Sequence, residues 1–192
     1  MAPLLAEARE RGVGVLIECS RIGVGRNVEI IAQVAEASGL PVVVPTGVYG
    51  RANFAPPEHR NMTEDELTTL FVSEINEGIE GTGIKAGVIK IATDESRMNA
   101  LLEKILRAAG RAASETGAGI ASHPPAGSDA VQQAAIREAI DPAIRFIWVH
   151  AQNESNRNIH VELAARGAYI EFDSLGWNPS DDSTYIAAVK NL

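Results

Sequence analysis

Two histidines and one lysine lie in or at the end of short apolar segments of this 192-residue chain. Lys90 lies within Gly-Val-Ile-Lys-Ile-Ala, His123 closes Gly-Ile-Ala-Ser-His, and His150 closes Phe-Ile-Trp-Val-His. Neutral imidazole is a common ligand of zinc and manganese. Lysine is almost never buried without a partner or a chemical task, because an ammonium ion in an apolar strand loses its hydration. These three residues are therefore candidates for a site, with a divalent metal as the expected cofactor.

Lys90 can join a metal site only in an altered form. A protonated lysine has no lone pair and repels a cation. Reaction of the amine with carbon dioxide would give a carbamate, whose two oxygens can bridge two metals. Lys90 can therefore contribute to a metal site only if it becomes anionic in this way.

The segments that would position these residues are short, rich in Val and Ile, and mostly without polar alternation. Strands of a parallel sheet that are buried on both faces show this pattern. Amphipathic stretches separate them, and this alternation predicts an α/β fold with helices covering a parallel sheet. The carboxyl ends of such strands form the mouth of a site. The predicted strands span residues 13–19, 41–44, 86–92, 120–122, 146–149 and 168–172.

Capping residues mark several of the helices. Asn27 predicts the start of a helix that Gly39 ends. Thr63 and Glu66 have the spacing of a capping box. Gly117 predicts the end of a long helix over residues 97–115. Further helices are expected over residues 129–139, after residue 153 up to residue 167, and from residue 182 onward.

Two architectures remain open at this point. The intervals from Lys90 to His123 and from His123 to His150 are close to the repeat of ~31 residues in a barrel of ~250 residues. An open doubly wound sheet can have similar spacing. The sequence shows no boundary, so we expect one domain over residues 1–192, with an extended loop over residues 49–61. The fragment Gly-Val-Gly at residues 23–25 is not a complete dinucleotide fingerprint, and the chain has no P-loop. These absences disfavour a cofactor-binding open sheet.

Composition limits the partners. The formal net charge is −8, which disfavours nucleic acid and anionic membranes as partners. The first residues do not resemble a signal peptide and no apolar stretch approaches the ~18 residues of a membrane span, so a cytoplasmic location is expected. The single cysteine, Cys19, is expected to be buried. His59 and His160 are assigned to the solvated surface.

Several longer strings resemble the phosphotriesterase-related family of the amidohydrolase superfamily, over nearly the whole chain and in order. The most specific is Gly-Ile-Lys-Ala-Gly-Val-Ile-Lys-Ile-Ala at residues 83–92. The others are Thr-Gly-Val-Tyr at 46–49, Ile-Ala-Ser-His at 120–123, Trp-Val-His at 148–150 and Gly-Ala-Tyr-Ile-Glu-Phe-Asp at 167–173.

The resemblance implies a (β/α)8 TIM barrel, incomplete here, with about strands two to seven of eight present. It implies two divalent metals, zinc or else manganese, cobalt or iron. Lys90 matches the carbamylated lysine that bridges them, and His123 and His150 match ligands of the more exposed metal. Tyr49 matches an aromatic residue beside the bridging hydroxide, so we assign it catalytic and substrate-binding roles. Asp173 is expected to bind substrate.

The sequence also departs from the family pattern. The His-x-His of the first barrel strand and the aspartate of the last have no counterpart, and we expect these residues to belong to a longer protein. Asn153 stands where phosphotriesterases have an acidic proton relay, and Ser174 where some members have His or Arg. Both changes argue against a phosphotriesterase proton shuttle.

The predicted function is a metal-dependent hydrolase that attacks a lactone, carboxyl ester or phosphotriester with a metal-activated hydroxide. Tyr49 favours a lactonase. This chain by itself is expected to be inactive, and a homodimer is expected from the family. The alternative is a relative without turnover that binds a small ligand or a partner.

Overall fold

The computed structural model describes residues 1–50, 54–92, 98–124, 126–173, 176, 182–190 and 192. Helices and short strands alternate along these residues, as the sequence predicts. The helices are α1 (Ala2–Glu10), α2 (Val28–Ser38), α3 (Pro57–Asn61), α4 (Glu64–Asn76), α5 (Ala100–Thr116), α6 (Gly127–Ile140), α7 (Arg157–Ala165) and α8 (Asp182–Lys190). The strands are β1 (Leu16–Ile17), β2 (Val42–Val43), β3 (Pro45–Thr46), β4 (Val88–Ala92), β5 (Gly119–His123), β6 (Phe146–Trp148) and β7 (Ala168–Ile170).

The helix ends follow the capping residues. The Asn27 side chain accepts a hydrogen bond from the backbone of Ile30, and Gly39 ends α2 in the left-handed conformation. Both halves of the capping box between Thr63 and Glu66 are formed at the start of α4. Gly117 ends α5 in the same left-handed way. Helix α5 begins at residue 100, after the cap Asn99, rather than at residue 97, which lies outside the described residues.

The strands are parallel and follow chain order. Strand β1 pairs with β2, and a second sheet runs β3-β4-β5-β6-β7. A doubly wound open sheet would reverse its strand order partway and cover both faces with helices. Here the order never reverses, and the large core cluster lies between the five-stranded sheet and its helices. This is the wall of an incomplete (β/α)8 barrel, as the sequence predicts.

The helix-facing side of the sheet is packed. Ile89, Ile91, Ile120, Phe146 and Trp148 are almost fully buried there. The facing side of α5 carries small residues, which bring the helix close to the strands; they are Ala108, Ala109 and Ala112.

The first predicted strand is largely wrong. Only residues 16–17 of the expected 13–19 pair, and Val13, Val15 and Ile17 are exposed. Cys19, expected to be buried, is exposed as well. The physical reason is that β1 pairs only with β2 among the described strands. Within that part of the chain no second layer covers the segment, so its apolar side chains stay exposed in spite of their composition.

The predicted strand 41–44 is divided. Residues 42–43 pair with β1 and residues 45–46 with β4, so one extended segment connects the two sheets. The expected loop over residues 49–61 contains α3, and its residues 51–53 lie outside the described part. Within the described residues, no helix combines the length and apolar character needed to cross a bilayer.

Candidate active site

Strand register places Lys90 and His123 on one face of the sheet. Lys90 pairs with Ala121, and Ala92 pairs with His123. Side chains two residues apart on a strand share a face, and directly paired residues do too. Lys90 and His123 therefore both lie on the face opposite the helices, towards the carboxyl ends of β4 and β5.

Lys90 is buried, with 4% of its surface exposed. Within the described part of the chain, its Nζ atom makes one long hydrogen bond, donating to the carbonyl of Ile91 at 3.5 Å. The pKa of Lys90 is lowered to about 8, mainly by burial. The positive charge of Arg21 adds to this effect, whereas Cys19, Glu171 and Asp173 oppose it. A larger share of the amine is therefore neutral near physiological pH than for a lysine in water.

The two predicted histidines lie together. The ring centroids of His123 and His150 are 4.3 Å apart and the rings meet edge to face. Burial, together with the charges of His150 and Lys90, lowers the pKa of His123 to about 4. His123 is therefore a neutral imidazole at physiological pH, which is the form that binds metals.

His150 follows β6 with an unusual backbone. Its φ is 61° and its ψ 36°, in the left-handed region that residues with a Cβ rarely adopt. Its backbone N–H donates to the Glu171 carboxylate at 2.8 Å. Its Nδ1 atom lies 2.5 Å from Oδ2 of Asp173. His150 thus contributes two of the contacts that join the turn after β6 to the end of β7.

Two carboxylates lie beside His150. The ligand atoms of His150, Glu171 and Asp173 all lie within 4.8 Å of one another. Asp173 also accepts a hydrogen bond from the side chain of Gln152. This possible metal-binding group shares only His150 with the predicted set. Glu171 received no role in the sequence analysis, although its spacing of two residues from Asp173 at the end of a strand was a signal that both point to one side.

Tyr49 and Arg21 lie at the neighbouring edge. Tyr49 forms an isolated parallel bridge with Ala92. The guanidinium of Arg21 lies over the Tyr49 ring, and the Phe54 ring is 5.5 Å from that ring. Arg21 is 2% exposed, and its charge lowers the pKa of both Lys90 and His123. Sequence reasoning missed Arg21, because it lies in a segment without periodicity.

Gly47 permits the close approach of the two chain segments. Its φ is 114°, and a Cβ built there would lie 2.1 Å from the Lys90 carbonyl oxygen. A side chain at residue 47 would push β3 and β4 apart beside Lys90.

The remaining predicted positions have different environments. Asn153 is exposed and closes a 3-10 turn over Ala151–Asn153. Ser174 lies outside the described residues. The surface assignment of His160 is wrong, because its side chain is 2% exposed and its Nε2 lies 2.8 Å from the Ala151 carbonyl oxygen. His59 is half-buried rather than solvated.

The sequence is similar to known proteins of one family. A sequence model described as the Phosphotriesterase family matches residues 2–192. A phosphotriesterase homology protein of Mycobacterium tuberculosis is 34% identical over 181 residues, which are 90% of this chain and 55% of that protein. An aryldialkylphosphatase of Saccharolobus solfataricus is 32% identical over 172 residues, covering 88% of this chain and 54% of that protein. The chain thus spans about half the length of the curated relatives it matches.

A solved structure is similar throughout. It is a crystal structure of the phosphotriesterase homology protein from Escherichia coli complexed with phosphate in the active site. The TM-score is 0.88 at 31% identity, and the match covers 100% of this chain and 67% of that one. With the family match over residues 2–192, this establishes that the chain belongs to the phosphotriesterase family.

Proposed function

We propose that this chain carries part of the catalytic site of a metal-dependent hydrolase acting on lactones, carboxyl esters or phosphotriesters. The observation that supports it most directly is the edge-to-face pair of His123 and His150, 4.3 Å between centroids, beside the buried Lys90. Lys90 and His123 lie on consecutive strands and His150 follows the next strand, near the carboxyl ends at which parallel α/β folds have their active sites.

The donor set fits a divalent metal. Imidazole and carboxylate groups are ligands of zinc and manganese. Asp173 holds the Nδ1 side of His150, which leaves Nε2 for a metal, and ligating histidines are commonly oriented by such a carboxylate. When bound, the metal would lower the pKa of a water molecule and polarise the substrate oxygen.

Lys90 is suited to carbamylation. Its neutral amine would attack the carbon of carbon dioxide, forming an N–C bond, while one C=O electron pair moves to oxygen and the nitrogen loses a proton. The product carries one negative charge on two oxygens. A buried site with Arg21 nearby favours that anion over the ammonium form.

Tyr49 supports a lactone or carboxyl ester as the substrate. It lies beside the end of β4, bridged to Ala92, where it can contact a substrate held at His123 and Lys90. Asn153 is a neutral, exposed residue and offers no proton relay. The relative named aryldialkylphosphatase keeps phosphotriesters among the substrates to be assayed.

The test is metal content together with hydrolysis. The chain is purified with bicarbonate and zinc, and metal per chain is measured by elemental analysis for the wild type, Lys90→Ala and the control Lys85→Ala, whose side chain is exposed. We expect bound metal in the wild type and the control, and its loss in Lys90→Ala. A wild type without metal under these conditions contradicts the proposal. Because this chain by itself is expected to be inactive, turnover is assayed in a longer protein that supplies the missing barrel strands. Metal binding there without turnover of any lactone, ester or phosphotriester would favour the ligand-binding alternative.

A further inference from the structure

Arg21 is a buried cation with unused hydrogen-bond donors. Its Nη1 donates to the Cys19 carbonyl at 3.1 Å, whereas Nε and Nη2 are buried and have no partner. Among the described residues, no carboxylate lies within ion-pair distance of it. Buried donors normally have partners, and an unsatisfied donor on a charged group is costly. The arrangement is therefore incomplete without an acceptor.

The two free donors lie on one edge of the guanidinium. Nε and Nη2 are neighbours in the planar group, and together they form the two-pronged edge that binds a carboxylate or phosphate through parallel hydrogen bonds. The opposite part of the group is held by Cys19, and its face lies over the Tyr49 ring. The orientation of the free edge is thus set before any ligand arrives.

The edge belongs to the candidate site. Arg21 follows β1, and the next residue, Ile22, forms a parallel bridge to Val48, the neighbour of Tyr49. Its charge acts on Lys90 and His123. It is a binding group rather than a metal ligand, because a guanidinium offers no lone pair.

From this geometry we propose that Arg21 binds an oxyanion of the substrate through Nε and Nη2, so that the hydrolase prefers substrates with a carboxylate, phosphate or similar anionic group. The proposal rests on the proposed function, since it uses the same site. The anion would occupy the edge next to Tyr49 while the scissile group faces His123 and His150. Because Nε and Nη2 are buried, the groups that cover them have to move aside when an anion binds.

The test measures binding without metal or turnover. The full chain is dialysed against a chelator, and inorganic phosphate and acetate are titrated separately by calorimetry into the wild type, Arg21→Gln, Arg21→Lys and the control Arg11→Gln. Arg11 is an exposed arginine of the N-terminal region. We expect Arg21→Gln to weaken binding of the preferred anion at least tenfold, Arg21→Lys to weaken it less, and the control to match the wild type. The tighter of the two anions identifies the type of oxyanion.

Equal affinities for the wild type and Arg21→Gln, or no anion binding by the wild type, would overturn the proposal. The variant Lys90→Ala is titrated in the same way. If it loses anion binding while Arg21→Gln keeps it, the proposal is overturned too. If circular dichroism shows that Arg21→Gln does not fold, the wild type is titrated with propionate and its neutral analogue propionamide; equal affinities then contradict the proposal, and a tenfold preference for propionate supports it. Anion binding that depends on Arg21 in a protein that never binds metal would leave this inference standing while the hydrolase proposal fails.

Discussion

The Nδ1 atom of His150 and a carboxylate oxygen of Asp173 lie 2.5 Å apart, which connects the ends of β6 and β7 through side chains. The side-chain N–H of Gln152 donates a hydrogen bond to the other carboxylate oxygen of Asp173. The amide oxygen of Gln152 accepts a hydrogen bond from the Asp173 backbone N–H at 3.3 Å. The imidazole therefore has a fixed orientation. This relationship gives Asp173 a positioning role towards His150, next to the substrate-binding role that stays a prediction.

Replacing Asp173 by asparagine should weaken metal binding. The amide keeps the size of the side chain but loses the negative charge that orients and polarises His150. Loss of such a partner typically reduces metal affinity by about 10–100-fold. Zinc affinity is measured by competition with a chromogenic chelator.

The matched control is Asp65→Asn. Asp65 is an exposed aspartate paired with Arg111 on the helical side of the molecule. Its replacement should leave zinc affinity unchanged. Equal zinc affinities for Asp173→Asn and the wild type would mean that the contact with His150 does not serve a metal site.

Gly47→Ala should destabilise the fold. Both the positive φ of 114° and the contact of 2.1 Å that a Cβ would make with the Lys90 carbonyl act against alanine. Together they should lower the free energy of unfolding by about 2–4 kcal/mol, measured by urea denaturation. Gly12→Ala is the control, because Gly12 has a φ of 97° but nothing within 4 Å of its Cβ position. If both variants lose the same stability, the close approach beside Lys90 carries no energetic weight.

Glu74→Gln tests a buried ion pair at the base of the loop after β1. Arg26 donates to both carboxylate oxygens of Glu74, at 2.7 and 2.6 Å, and both side chains are buried. Neutralising Glu74 leaves the buried Arg26 with only the exposed carboxylate of Glu80 as an ionic partner, at 3.0 Å. The loss should therefore lie at the lower end of the about 3–5 kcal/mol that breaking a buried pair costs in the free energy of unfolding.

The comparison is Glu7→Gln, which removes an exposed ion pair with Arg11. Exposed pairs contribute at most about 1 kcal/mol, so this variant should unfold close to the wild type. Similar losses in the two variants would show that burial of the Arg26 pair does not determine its contribution.

Stability should fall in mildly acidic solution, in part through His160. Burial lowers the pKa of His160 in the folded state, and the charge of Arg157 adds to this, although the hydrogen bond with the Ala151 carbonyl and the charge of Glu154 oppose it. The unfolded chain therefore binds a proton more readily, and stability is lost as the pH falls below about 6.5. His160→Gln keeps a donor for the Ala151 carbonyl but cannot be protonated.

Urea denaturation at pH 7.5 and pH 5.5 checks this expectation. The wild type should lose more stability than His160→Gln between the two values. His123 contributes a loss of the same sign in both proteins, because its pKa is lowered to about 4 in the folded state. Parallel losses in the two proteins would mean that His160 does not contribute.

Local chemistry made part of the molecule predictable. Capping pairs such as Thr63 with Glu66 fix a helix start through hydrogen bonds between near neighbours, so sequence alone locates it. The apolar strands that contain Lys90 and end in His123 were predictable for a similar reason, since strand period and parallel order place the two side chains on one face.

Features that depend on distant contacts were not predictable in this way. His160 shares a helix face with Leu163, and that spacing of three residues was a signal of burial, but the partner carbonyl of Ala151 is known only from the fold. Cys19 was expected inside because of its apolar neighbours, whereas burial needs a layer to cover them. Arg21 lies in a loop, whose path no periodicity determines.

At position 150, the left-handed backbone favours a residue other than histidine, whereas the proposed metal site requires the imidazole. A residue with a Cβ loses about 1–2 kcal/mol in that conformation, and glycine or asparagine would adopt it more readily. Mutation without selection for function would carry position 150 towards those two residues, with a gain in stability. Histidine at this position is therefore expected to persist only where the side chain is needed for function. The residue at position 150 would distinguish relatives that keep the site from relatives that have lost it.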